Sequence, residues 1–197
     1  MTEFPAWFDP SKDRALTPST IKGLLHPIRL RIFDLLQVDG PSTATTLGRQ
    51  TGQSTASVSY HLRVLAEHGY IVEVPERGNR RDRWWRAAHR SVLFTFRAAE
   101  DPGTPETIED AEYFFRLIAE ESHRKVLKFV SSLSGYQGDL AELPWTSGGG
   151  ALDLSTDEIR DLRREMGELV ARYRRRSENP PEGTLRVHAA FQIVPDE

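Results

Sequence analysis

The chain has 197 residues, no cysteine, a formal net charge of −3 and 38% hydrophobic residues. That length accommodates one large domain or two small ones, with a core that needs no covalent staples. Without thiols, a disulfide scaffold, thiol redox chemistry, cysteine-ligated zinc and a thiolate arsenic site are all excluded.

Residues 1–16 read as an arm, with Trp7 and Phe8 able to pin it to a surface. Thr17-Pro18 suits a helix start, because Thr can cap and Pro fits the first helical position. That helix carries Ile21, Leu24 and Leu25, and Pro27 marks a break and restart. Ile28, Ile32, Leu35 and Leu36 then follow at helical spacing, and Asp39-Gly40-Pro41 stops the element. Residues 43–51 read as a short helix holding Leu47, followed by a turn at Gly52. Ser54 can cap a helix that runs to about His68, with Val58, Leu62 and Leu65 on its inner face. Tyr70–Val74 and Arg83–Ala87 read as the two strands of a hairpin, with Gly78 and Asn79 near its tip. Trp84 and Trp85 are adjacent on a strand and point to opposite faces, one toward the core.

An acid-, Pro- and Gly-rich connection at 98–105 leads into a long helix over about 105–133. Ile108, Ala111, Phe115, Ile118, Val126, Leu127, Val130 and Leu133 give that helix a broad apolar face. Residues 134–150 read as a loop ending in Ser147-Gly148-Gly149-Gly150, and 151–154 as a short strand. Ser155 and Glu158 form a capping box. The helix behind it spaces Ile159, Leu162, Met166, Leu169 and Tyr173 like a short heptad seam. Arg172, Arg174, Arg175 and Arg176 close it, placed either to complement the C-terminal dipole or to make a second DNA or partner contact. Leu185, Val187, Ala189, Phe191 and Ile193 alternate as in a strand with one buried face.

Charge is divided unevenly. Residues 1–97 carry 14 Lys and Arg against 9 Asp and Glu, whereas 98–197 carry 12 against 20. The positive half concentrates at Arg77, Arg80, Arg81, Arg83, Arg86 and Arg90, an arrangement that suits a polyanion.

The order helix, helix, helix, turn, helix, hairpin is that of a winged helix-turn-helix. The stretch 47–71 carries it, with Ala56, Ser57, Tyr60 and Arg63 opposite the inner face of the recognition helix. Small polar residues at the start of such a helix let it enter a major groove about 12 Å wide. Ser54 and Thr55 add hydroxyls at the helix N-terminus, where phosphate is favoured.

This stretch resembles the ArsR-type bacterial transcriptional regulators. The resembling residues are Pro27-Ile28-Arg29-Leu30-Arg31-Ile32, then Thr55, Val58, Ser59, His61, Leu62 and Leu65, then Glu67, Gly69 and Ile71. The resemblance covers about residues 17–90. It implies a homodimer that binds an operator in double-stranded DNA, usually as a repressor relieved by an effector. It also implies DNA contacts from Ser54, Thr55, Ser57, Ser59, Tyr60, His61 and Arg63. The arginine-rich hairpin reads as a wing whose Arg77, Arg80, Arg81 and Arg83 lie along the backbone or minor groove. His61 lies at the border of the core face, so it is either a DNA contact or a packed, hydrogen-bonded core histidine.

The expected fold is therefore mainly α with small β (α+β). An arm (1–16) precedes a winged helix-turn-helix (17–97) and a helical or α+β region for dimerisation or an effector (98–197). In that last region Trp145 and Phe191 are loose candidates for lining a pocket for a small-molecule effector of unknown identity. No stretch approaches the roughly 18 apolar residues of a membrane span, and the N-terminus lacks a signal-peptide core, so a cytoplasmic protein without a membrane partner is expected. No enzyme activity, cofactor or metal is expected. Nucleophile elbow, zinc-protease and phosphate-loop motifs are missing. Asp110, Glu112 and His123 have a family-like metal spacing, but the position of the first expected histidine holds Glu112 and that of the last ligand holds Val126. The alternative to a DNA-binding regulator is a protein-interaction module on the same scaffold.

Overall fold

The computed structural model describes residues 4, 8–78, 82–94, 104–139, 145–146, 148–173, 182–185 and 187–194. The chain divides into two compact units, one of Asp9–Glu121 and one of Met1–Phe8 with Ser122–Glu197.

The Asp9–Glu121 unit begins with strand β1 (Asp13–Leu16), in residues expected to belong to an arm. Leu16 is fully buried. The helix expected from Thr17 shrinks to one 3-10 turn, Ile21–Leu24. The residue before a proline is driven out of the helical region, and His26 is extended at φ −160° and ψ 130°. Helix α1 (Pro27–Val38) restarts with Pro27 in its first turn, and His26 Nδ1 accepts the Ile28 N–H at 3.1 Å. It buries Leu30, Ile32, Phe33 and Leu36.

A two-residue strand β2 (Ser42–Thr43) runs into helix α2 (Ala44–Thr51), capped by the Thr43 hydroxyl. Gly52 closes α2 in the left-handed region at φ 73°, which a side chain would strain. Helix α3 (Thr55–Glu67) starts at Ser54, whose Oγ accepts the Ser57 N–H at 3.1 Å. Val58, Leu62 and Leu65 are buried on its inner face, as their spacing predicts. Each such side chain contributes roughly 1.5–3 kcal/mol by leaving water. Phe33 of α1 meets Tyr70 edge-on at 5.5 Å beneath them.

The hairpin forms from β3 (Ile71–Glu73) and β4 (Trp84–Ala87), antiparallel with Ile71 opposite Ala87. β2 pairs with the other edge of β4, giving the order β2-β4-β3. Trp84 and Trp85 are both half-buried, and Trp85 is the one packed against the core. Asn79, expected near the hairpin tip, lies outside the described residues, as does most of the 98–105 connection. Strand β5 (Ser91–Phe94) then pairs in parallel with β1, Asp13 opposite Ser91.

Helix α4 (Pro105–Ser132) spans the expected long helix. Its buried residues, Ala111, Phe114 and Leu117, form a narrow stripe three residues apart. Phe94 lies 5.8 Å from Phe114 and 4.7 Å from Phe115. The broad apolar face expected for this helix is mostly exposed instead: Ile108, Ile118, Val126, Leu127 and Val130 stand in solvent.

In the other unit, a 3-10 turn (Leu133–Gly135) follows α4. Helix α5 (Thr156–Tyr173) carries the expected capping box, with the Ser155 N–H donating to Glu158 at 2.7 Å and the Glu158 N–H returning to Ser155 Oγ at 3.3 Å. Ile159, Leu162 and Met166 of its seam are half-buried, while Leu169 and Tyr173 are exposed. Arg172 is exposed in the last turn, and Arg174, Arg175 and Arg176 lie outside the described residues. The two further strands expected here do not form among the described residues, at 151–154 or at 185–193. Leu185, Val187 and Phe191 are exposed. Alternation reports a two-faced segment, but a strand also needs a neighbour to satisfy its backbone groups. No described helix is long and apolar enough to cross a membrane.

Candidate nucleic-acid interface

Helix α3 is held by its apolar face, which leaves its other face free for an external partner. Thr55, Ala56, Ser59, Tyr60 and Arg63 are exposed, Tyr60 to 56%. Ser54 is exposed too, but its hydroxyl is engaged as the helix cap. Ser57 is half-buried, with Oγ 3.5 Å from Gln53 Oε1.

His61 falls on the other side. It is 7% exposed, and its ring lies 4.6 Å from that of His26, the cap of α1. Burial, then the nearby His26 and Arg29, lower its pKa. Burial, then Arg29, do the same for His26. His61 is packed, as one of the two sequence readings has it, but among the described residues its Nδ1 lacks the hydrogen-bond partner which that reading expected.

The exposed face of α3 forms one wall of an open cleft of about 700 Å³. Thr55, Ser59 and Arg63 line it from α3, Thr43 and Thr45 from the start of α2, and Arg83 with Trp85 from the hairpin. The threonines at the start of α2 escaped the sequence reading, although the run Thr43-Ala44-Thr45-Thr46 is a recognisable cap signal. The cleft's charge is mixed. Glu67, Glu73 and Asp82 also face it, and Glu73 lies 3.9 Å from Arg83 Nε. Arg77 is exposed beside the hairpin, its guanidinium 6.0 Å from the Trp84 ring centre. Trp84 thus lies beside an arginine of the hairpin. Arg80 and Arg81 lie outside the described residues.

Two glycines make the tight packing behind α3 achievable. A Cβ on Gly48 would stand 2.8 Å from the Gln53 carbonyl oxygen, inside the turn between α2 and α3. A Cβ on Gly23 would meet His68 Cβ and Tyr70 Cε2, both at 2.6 Å. Neither requirement has a local signal in the sequence.

Behind the hairpin, the N-terminal segment is anchored by side chains. Arg14 donates to the His68 carbonyl at 2.8 Å and lies 4.6 Å over the Tyr70 ring. The Tyr70 hydroxyl donates to the Thr20 carbonyl at 2.6 Å, and burial pushes its pKa up to about 12.

The remaining candidates do not gather into a second site. Among the described residues, no three histidine or carboxylate side chains are grouped as a metal ion would require, Asp110, Glu112 and His123 included. Trp145 rests against Phe129 at 5.6 Å, and Phe191 is 55% exposed.

No curated protein matches the chain. Among solved structures, it is similar to Lactococcus lactis ZitR, in the apo form of a double mutant. That pair shares 14% identity over 79% of this chain and 89% of the other, with a TM-score of 0.32. It is also similar to the transcriptional regulator Tm0710 from Thermotoga maritima. Here the identity is 22% over 59% of this chain and 81% of the other, with a TM-score of 0.31. Residues 24–74 match a family described as a helix-turn-helix domain, and they span α1, α2, α3 and β3, the elements that build the exposed face described above.

Proposed function

We propose that the chain is a sequence-specific DNA-binding transcriptional regulator of the ArsR type, acting as a homodimeric repressor and not as an enzyme. The observation that carries this reading is the exposed polar face of α3 set across an open cleft from Arg83 of the hairpin. In this reading α3 enters the major groove, where Tyr60 and Arg63 reach base edges. Thr55, Ser59 and the threonines of α2 hold phosphates, and Arg77, Arg80, Arg81 and Arg83 run along the backbone or minor groove. His61 supports the helix from behind. The DNA-binding module runs to about residue 97, and the remainder is the more acidic part of the chain. The exposed Ile108, Ile118 and Leu127 of α4 supply the dimer contact.

The test is fluorescence anisotropy of the purified chain with duplex DNA from upstream of its own coding sequence and with a scrambled duplex, over a salt series. Tighter binding to the first, weakening steeply with salt, is expected. Equal and weak binding to both, at low salt as well, overturns the reading in favour of a protein-interaction role.

A further inference from the structure

The contact between His26 and His61 joins the cap of one helix to the buried face of another. His26 Nδ1 accepts the Ile28 N–H, so that nitrogen is unprotonated in the folded state. His61 Nδ1 is buried and has no hydrogen-bond partner. The two rings lie 4.6 Å apart. The His61 ring also meets Tyr60 edge-on at 5.4 Å, and Tyr60 is on the exposed face of α3.

Protonation is opposed on every side. A proton on His26 Nδ1 turns the acceptor into a donor facing another donor, and puts a positive charge at the positive end of the α1 dipole. A proton on His61 places a charge in a buried position. The charged groups that act on the pair are Arg29 and the imidazoles themselves. Arg29 cannot move away freely, since its Nε donates to the Gly23 carbonyl at 2.7 Å and its Nη2 to the Lys22 carbonyl at 3.3 Å. The neighbours acting on Arg29 are the phenols Tyr60 of α3 and Tyr113 of α4.

We infer that the His26–His61 pair is an acid-sensitive latch, whose protonation frees the α1 cap and unseats the recognition helix. The inference rests on the proposed DNA-binding function for its consequence, though not for its chemistry. Its sign is distinctive. Added positive charge alone tightens DNA binding as pH falls. A latch that opens does the reverse, and loses affinity by up to about tenfold per pH unit for each proton taken up.

Two measurements on the full chain test it. The first is an NMR titration from about pH 7.5 to about pH 4.5, reaching below the range in which an unshifted histidine changes charge. It follows both imidazoles and the Ile28 amide. The expected result is that both rings titrate below the usual histidine value, and that the Ile28 amide loses its capped shift and its exchange protection in step. Rings that titrate with the capped Ile28 amide undisturbed overturn the latch, with or without DNA. The second measurement is anisotropy with the upstream duplex over the same range. Wild-type affinity falls toward acid, whereas His26→Asn, which keeps a cap that does not titrate in this range, flattens the profile. His61→Leu is a second variant that removes the buried imidazole, and the same flattening is expected. A wild-type affinity that rises steadily on acidification overturns the latch. No binding at about pH 7.5 overturns the DNA-binding reading instead, and the Ile28 titration still decides the latch.

Discussion

Arg90 forks onto the carboxylate of Asp13 across 77 residues of sequence, with Nε donating to Oδ1 at 3.0 Å and a terminal nitrogen to Oδ2. Ser91 Oγ adds a third bond to Oδ1 at 2.7 Å. Burial alone raises the Asp13 pKa. The bonds from Arg90, the Asp9 backbone N–H and Ser91, with the charge of Arg90, outweigh it and hold the pKa at about 2, below the ordinary 3.8. A carboxyl with a lowered folded pKa stabilises the fold fully above its unfolded value. That contribution is lost as pH falls through the folded value. Asp13→Asn is therefore expected to cost roughly 2 kcal/mol at neutral pH. The variant should also lack the part of the wild-type acid loss that falls between pH 3.8 and about 2. Urea denaturation at a series of pH values checks both, and an Asn variant as stable as wild type at neutral pH would remove the clamp from the stability account.

Gly48 lies inside α2, where alanine ordinarily favours a helix by about 1 kcal/mol. Here the added Cβ meets the Gln53 carbonyl oxygen at 2.8 Å, and that oxygen is backbone. Gly48→Ala is expected to destabilise by roughly 1–3 kcal/mol despite its propensity. A rise in melting temperature would show that the turn between α2 and α3 yields easily.

The wing and the recognition helix should fail differently. Arg77→Ala with Arg83→Ala is expected to weaken binding to all duplexes alike and to lower the log–log salt slope by about 2. Tyr60→Ala or Arg63→Ala is expected to narrow the gap between cognate and scrambled DNA by roughly 1–3 kcal/mol each. Anisotropy with both duplexes separates the outcomes. An unchanged salt slope in the double variant would take these arginines off the phosphates.

The exposed apolar residues of α4 predict the assembly state. Ile118 and Leu127 are 39% and 50% exposed. In the proposed homodimer, Ile118→Asp with Leu127→Asp is expected to separate the protomers into folded monomers, read by sedimentation velocity together with circular dichroism. A variant that sediments as wild type would place the dimer contact elsewhere.

The recognition helix was legible because its signals are local. Ser54 caps it, and Val58, Leu62 and Leu65 repeat at the spacing of one face. His61 was legible only to the border of that face, since angular position does not report that His26 closes over it. The pairing of β1 with β5 was illegible, because two four-residue strands far apart carry no mark of one another. The close approaches at Gly23 and Gly48 are tertiary, so the sequence shows only two more glycines. At 185–193 the pattern misled, because alternation is necessary for a half-buried strand and not sufficient. The broad stripe of α4 was real in sequence, yet only Ala111, Phe114 and Leu117 found cover.

The parallel register of β1 on β5 also sets an order of events on the ribosome. Asp13 is made first, and its partner Ser91 follows 78 residues later. At roughly 5–20 residues per second, the first strand waits several seconds or more for its mate. Through that interval Leu16 has no β5 to lie against, while α1, α2 and α3 emerge with their own caps. Such a nascent chain can complete α1, α2 and α3 before its β1–β5 edge. Slowed synthesis within residues 70–94 would lengthen the time for which that edge is open to chaperones and proteases.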